Sequence, residues 1–187
     1  FFWMLFAPEV DFEEGVRTWG LVPARWTLET LGTSMFLHGG LLHLLGNMVF
    51  LWITGDNVED RLGHGPFLAL YLSCGAIAAA TQVLLFPHSA VPMVGASGAI
   101  AGVLGAYFLL FPHARIVTLM PWFLVWRFTE VPAFLFLGFW FVLQWAQGLP
   151  AIGTMTSNGG VAWWAHVGGF LAGLLMGARL RARRAYF

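Results

Sequence analysis

Apolar residues along this chain gather in long unbroken runs, and the breaks between the runs are charged or rich in Pro and Gly. The runs cover about 41–54, 67–86, 96–111, 131–145 and 161–180, with an apolar remnant at 1–7 that ends at Pro8 and the acids Glu9, Asp11, Glu13 and Glu14. A membrane-spanning helix needs about 20 mostly apolar residues. None of the runs alternates with the period of two that a barrel strand carries. Five runs therefore predict membrane-spanning helices, and the remnant predicts a first span largely truncated in this chain. The runs at 41–54 and 96–111 are short for a crossing, so neighbouring helices are expected to shield them, or the bilayer to thin around them. The expected fold is an all-α integral membrane protein, a six-helix bundle forming a single domain over 1–187.

Composition sharpens the contrast with a water-soluble domain. Hydrophobic residues make up 59% of the 187 and charged residues only 10%, against about 25% charged in a typical soluble domain. The surplus apolar surface must face lipid, and the bilayer is the first partner implied. Nine basic and nine acidic side chains give no net charge and no basic face for a nucleic acid, which is excluded as a partner. The single cysteine, Cys74, rules out an internal disulfide or a cysteine metal cage.

Every basic residue is Arg. If the loops alternate sides, Arg61, Arg115, Arg127, Arg179, Arg181, Arg183 and Arg184 share one side, while Arg17 and Arg25 lie on the other among Glu9, Asp11, Glu13, Glu14 and Glu29. The positive-inside rule then predicts a cytoplasmic C-terminus. It also makes the second, fourth and sixth spans parallel. The multi-pass chain is expected in a bacterial inner (plasma) membrane.

In lipid the residues to explain are the polar ones, because each is costly unless paired. His43 and Asn47 are four apart and share a helix face. Ser97 opens the fourth span within Gly95-Ala96-Ser97-Gly98, and His166 lies early in the sixth, in Trp163-Trp164-Ala165-His166. The sixth span continues with Gly169, Gly173 and Gly177, and the fourth answers with Gly98, Ala101, Gly102, Gly105 and Ala106. Small residues at this spacing let two helix backbones approach closely. His166 lies about 60° around the helix from Gly169, so the packing face is also the face that carries the histidine.

A serine at a helix start has free backbone N–H groups and the positive end of the helix dipole beside it, and a histidine base would complete a nucleophile. His43 and Asn47 are then natural donors to an oxyanion, beside the Ser97 N–H. Alone, each has a plainer reading: Ser97 as a small packing hydroxyl, the others as interhelical hydrogen bonds. Four such groups at one depth on parallel spans favour the joint catalytic reading. Other membrane protease chemistries lack their parts. The aspartates Asp11, Asp56 and Asp60 all fall in expected loops, and no H-E-x-x-H zinc motif occurs. A Ser-His dyad is the economical solution, with no metal and no cofactor.

Four motifs in order resemble the rhomboid intramembrane serine proteases: His38-Gly39-Gly40-Leu41-Leu42-His43-Leu44-Leu45-Gly46-Asn47, Glu59-Asp60-Arg61-Leu62-Gly63, Gly95-Ala96-Ser97-Gly98 and Ala165-His166-Val167-Gly168-Gly169 with Gly173. The resemblance implies Ser97 as nucleophile and His166 as base. It implies His43, Asn47 and the Ser97 backbone N–H as oxyanion stabilisers, Gly95 and Gly98 as part of a tight loop, His38 as a structural histidine, and Glu59 with Arg61 as a structural loop ion pair. It further implies an endopeptidase that cuts the transmembrane segments of other membrane proteins; the alternative is a catalytically inactive relative that binds client transmembrane helices. Two departures stand out. Ala101 occupies the place where some rhomboids carry a Tyr stacked on the histidine, and Arg25-Trp26 reverses the Trp-Arg order common in the loop after the first span.

Overall fold

The computed structural model describes residues 9–123, 125–154 and 160–184, so the apolar remnant at 1–7 lies outside the described residues. Among the described residues, seven α-helices and one hairpin follow in order: α1 Glu9–Trp19, α2 Leu28–Thr33, α3 Leu41–Leu62, α4 His64–Leu85, α5 Ser97–Leu110, β1 Arg115–Trp122, β2 Val125–Pro132, α6 Ala133–Thr154 and α7 Trp163–Arg184. The chain is an all-α membrane bundle with one antiparallel hairpin added. Helices α4 and α6 (to Ile152) are each long and apolar enough to cross a bilayer, and the segment Leu28–Phe36 joined to α3 through an 88° bend makes a third candidate.

Several boundaries differ from the apolar runs, for one reason: a helix is closed by backbone hydrogen bonds, which persist where the side chains turn polar. The acidic stretch after the remnant is part of helix α1, with an i,i+4 pair between Glu13 and Arg17 at 3.9 Å on its exposed side. Helix α3 does not stop at 54. It continues through Gly55-Asp56-Asn57 to Leu62, with Thr54 and Asn57 bonded back to the carbonyls of Phe50 and Ile53, and ends at Gly63, whose φ of +89° suits glycine. Asp56 and Asp60 are therefore helical, and so is Asp11 in α1. His64 opens α4 directly after Gly63. Helix α6 runs well past 145 and starts at Ala133, because Val131 and Pro132 pair with Ile116 and Arg115 in the hairpin. The short α2 is held by a capping box between Thr27 and Thr30.

Helix α5 has only 14 residues, and every one from Gly98 to Tyr107 is buried. Its neighbours α3, α4, α6 and α7 enclose it, α7 most extensively. The α5–α7 contact is between backbones. A Cβ on Gly169 would overlap the carbonyl of Gly98, one on Gly173 would overlap the carbonyl of Gly102, and one on Gly177 would come within 3.1 Å of Ala106 Cα. The partners advance together by four residues, one turn at a time, which requires the two helices to be parallel. Gly98 and Gly102 also lie against Ala78 and Cys74 of α4.

This register is rigid and gives a clear expectation. Gly173→Leu should lower the midpoint of thermal unfolding in lipid or detergent by the equivalent of at least about 1–3 kcal/mol, the usual cost of overpacking. Gly46→Ala, at an exposed position with open space around its Cα, should leave the midpoint unchanged or slightly higher.

Candidate active site

Ser97 is the first residue of α5, and the loop before it is pinned from two directions. Leu21 and Met93 exchange backbone hydrogen bonds of 2.9 and 2.8 Å, and Gly95 N–H donates to the Ser34 carbonyl at 2.9 Å. The chain then turns through Gly95 with φ +122°, a conformation that strains any residue with a side chain. The residue before Ser97, Ala96, offers no side-chain cap. The first-turn N–H groups of α5 therefore keep the positive end of the helix dipole uncapped by any side chain.

At the start of the α5–α7 contact, the register brings Ser97 against His166. Ser97 Oγ lies 2.8 Å from His166 Nε2. His166 is buried in the first turn of α7, and its other ring nitrogen, Nδ1, is 2.7 Å from Oε1 of Gln144 on α6. Two indoles flank the imidazole. Trp140 is tilted at 32° with centroids 6.0 Å apart, and Trp163 is edge-on at 6.3 Å.

Residues of α3 also close on this loop. The Gly39 N–H donates to His43 Nδ1 at 3.2 Å, which places the proton of neutral His43 on Nε2. A Cβ on Gly95 would lie 2.8 and 2.9 Å from Cε1 and Nε2 of that ring and 3.7 Å from Asn47 Nδ2. The absent side chain is thus what lets His43 and Asn47 close on the Ser97 loop. Asn47 Nδ2 also donates to the His43 carbonyl at 3.1 Å, and Asn47 is buried. His38 packs edge-on against His43 with centroids 5.4 Å apart. A cavity of about 400 Å³ opens beside these groups, with Ser97, His166, His43, Gly75, Ala78 and Gln82 among its walls.

Ser97, His166, His43, Asn47, Gly95 and Gly98 thus converge in space, with Gly169 and Gly173 setting the approach of α7 and His38 behind His43. Glu59 and Arg61 do not belong with them. They lie in the last turn of α3, about 18 Å along the helix from Asn47, and Glu59 Oε1 bonds His64 Nδ1 at 2.6 Å instead of pairing with Arg61. The reason is geometric, because residues two apart on a helix do not face each other. Sequence reasoning missed Gln144 and Trp140. The signal that could have found Gln144 is that it is the only amide in the apolar run 131–145.

Residues 25–183 match the Rhomboid domain family. The chain belongs to the rhomboid family. It is 34% identical over 149 residues to Rhomboid protein 1, mitochondrial, of Saccharomyces cerevisiae, covering 77% of this chain and 39% of that one. It is 32% identical over 177 residues to RHOMBOID-like protein 5 of Arabidopsis thaliana, covering 93% and 47%. It is 42% identical over 74 residues to Rhomboid protease GluP of Bacillus subtilis, covering 40% and 14%. This rhomboid chain spans less than half the length of each of these relatives. Relatives from a mitochondrion, a plant and a bacterium do not point to the bacterial inner membrane in particular.

The close approach at Gly95 is testable without a substrate. In this rhomboid, Gly95→Ala should lower the thermal unfolding midpoint by the equivalent of about 1–3 kcal/mol, since the new side chain meets both a strained φ and the His43 ring. An unchanged midpoint would show that His43 does not pack on this loop.

Proposed function

We propose that this rhomboid is an intramembrane serine endopeptidase working through a Ser97–His166 dyad, and that residues 1–187 form its single catalytic domain. The observation that carries the reading is the 2.8 Å contact between Ser97 Oγ and His166 Nε2 at the start of a buried helix, beside a cavity. His166 Nε2 takes the proton of Ser97 Oγ as the oxygen attacks the substrate carbonyl. Charge then develops on the carbonyl oxygen. The Ser97 N–H, His43 Nε2–H and the Asn47 amide supply donors on the side where that oxygen comes to rest, and the dipole of α5 adds to them. The tetrahedral intermediate collapses as His166 returns its proton to the leaving amine. Water then repeats the cycle on the acyl-enzyme, with the cavity as its route.

The substrates are transmembrane segments of other membrane proteins. A helical amide is shielded by its own hydrogen bonds, so the segment must unwind at the scissile bond. The walls at Gly75, Ala78 and Gly98 favour small residues there. The arginine distribution supports a cytoplasmic C-terminus, which puts the site toward the outer face.

The test uses the purified protein in lipid vesicles with a transmembrane substrate containing small residues and a helix breaker. Ser97→Ala and His166→Ala should reduce cleavage to background. His43→Ala and Asn47→Ala should each lower kcat by about 10²–10³-fold, the usual loss of one oxyanion donor, with less effect on KM. Equal cleavage by wild type and Ser97→Ala would overturn the proposal.

A further inference from the structure

Two indoles and an amide surround His166, and the amide makes a bond that the dyad chemistry does not require to be there. We propose that Gln144 is a positioning residue which fixes the tautomer and orientation of His166, so that Nε2 presents its lone pair to Ser97. The inference rests on the protease reading of Ser97 and His166.

Neutral imidazole carries one N–H, and the partner of one ring nitrogen decides which form is present. Gln144 Oε1 can only accept, so a 2.7 Å contact with Nδ1 places the proton on Nδ1. Nε2 is then left unprotonated, 2.8 Å from the Ser97 hydroxyl. The opposite tautomer would require the Gln144 amide to turn end for end and offer its NH2 to Nδ1, in a site where Gln144 and His166 are 6% and 9% exposed.

The backbone frame makes the contact selective. Trp140, Gln144 and Gly148 are spaced at four residues and so share one face of α6. Each engages the first turn of α7: Trp140 stacks beside His166, Gln144 bonds it, and the Gly148 carbonyl accepts from Trp164 Nε1 at 2.8 Å. A Cβ on Gly148 would come within 2.8 Å of that indole nitrogen. One helix thus carries both an indole beside the ring and the acceptor for its Nδ1.

The bond also changes during the reaction. When His166 takes the Ser97 proton, both ring nitrogens bear hydrogens, and Nδ1–H···Oε1 becomes a charge-assisted bond, stronger than in the resting state. An interaction that strengthens only as charge develops raises kcat more than it lowers KM. The amide does this without adding a second charge to a low-dielectric site.

The experiment compares wild type, Gln144→Met and Gln144→Glu in lipid vesicles, with Ser97→Ala as the blank. Met matches the length of Gln but offers no strong acceptor, whereas Glu keeps an oxygen at the same reach. Gln144→Met should lose about 10²-fold in kcat, the lower end of a general base's contribution, with KM and the unfolding midpoint little changed. Gln144→Glu should recover most of the loss. In nitrogen-15 spectra of histidine-labelled protein, assigned by difference from His166→Ala, wild-type His166 should be protonated on Nδ1, and Gln144→Met should shift toward the other tautomer. Unchanged kcat in Gln144→Met, Nε2 protonation in wild type, or equal losses in both variants with lowered midpoints would overturn the proposal. Wild type no more active than the blank would sink the protease reading, and the spectra would then decide the Gln144–His166 assignment alone.

Discussion

The backbones of α5 and α7 touch, and the geometry around Ser97 follows from that contact. In lipid there is no hydrophobic force to drive one apolar helix onto another, so association relies on close packing and hydrogen bonds. Glycines at 98, 102, 169 and 173 remove the side chains that would hold the helices apart. Because the contacts repeat every four residues in both helices, sliding one helix past the other by a single residue would drive side chains into backbone. The register is fixed, and with it the meeting of a serine at the start of one helix with a histidine in the first turn of the other.

A second constraint is the cost of a polar group in an apolar interior. His166 satisfies both ring nitrogens, one with Ser97 and one with Gln144. Asn47 and Thr54 turn back onto carbonyls of their own helix. Such pairing holds the groups in defined places, which is what a site built around developing charge requires. The same economy explains the exposed pairs at the other end of α3 and along α1. Glu59 with His64, and Glu13 with Arg17, are solvent-facing contacts that contribute little energy and lie apart from the buried network.

At Ala101 the serine's own helix offers no aromatic to lie against His166. The structure supplies the aromatic from another helix. Trp140 of α6 and Trp163 of α7 flank the ring, and Ala101 is fully buried. Helix α6 thus carries both an indole beside His166 and the amide that bonds it.

Sequence alone determined a good deal. Long apolar runs required a helical membrane bundle, because only helices satisfy their backbones within a single segment. Glycine spacing named the two helices that touch, and the polar residues Ser97, His166, His43 and Asn47 stood out because lipid makes such groups expensive. Those signals are local, or repeat along one element, so they can be read without coordinates. Tertiary structure decided the rest. The extension of α3 past Thr54 depends on backbone bonds that hydropathy does not report. The hairpin at 115–132 depends on pairing between two segments. The partner of Glu59 depends on where α4 begins. Most of all, that Gln144, 22 positions from His166, bonds its ring could be decided only by the rotation of α6 about its axis, because no periodicity in one helix specifies which side chain of another will reach it.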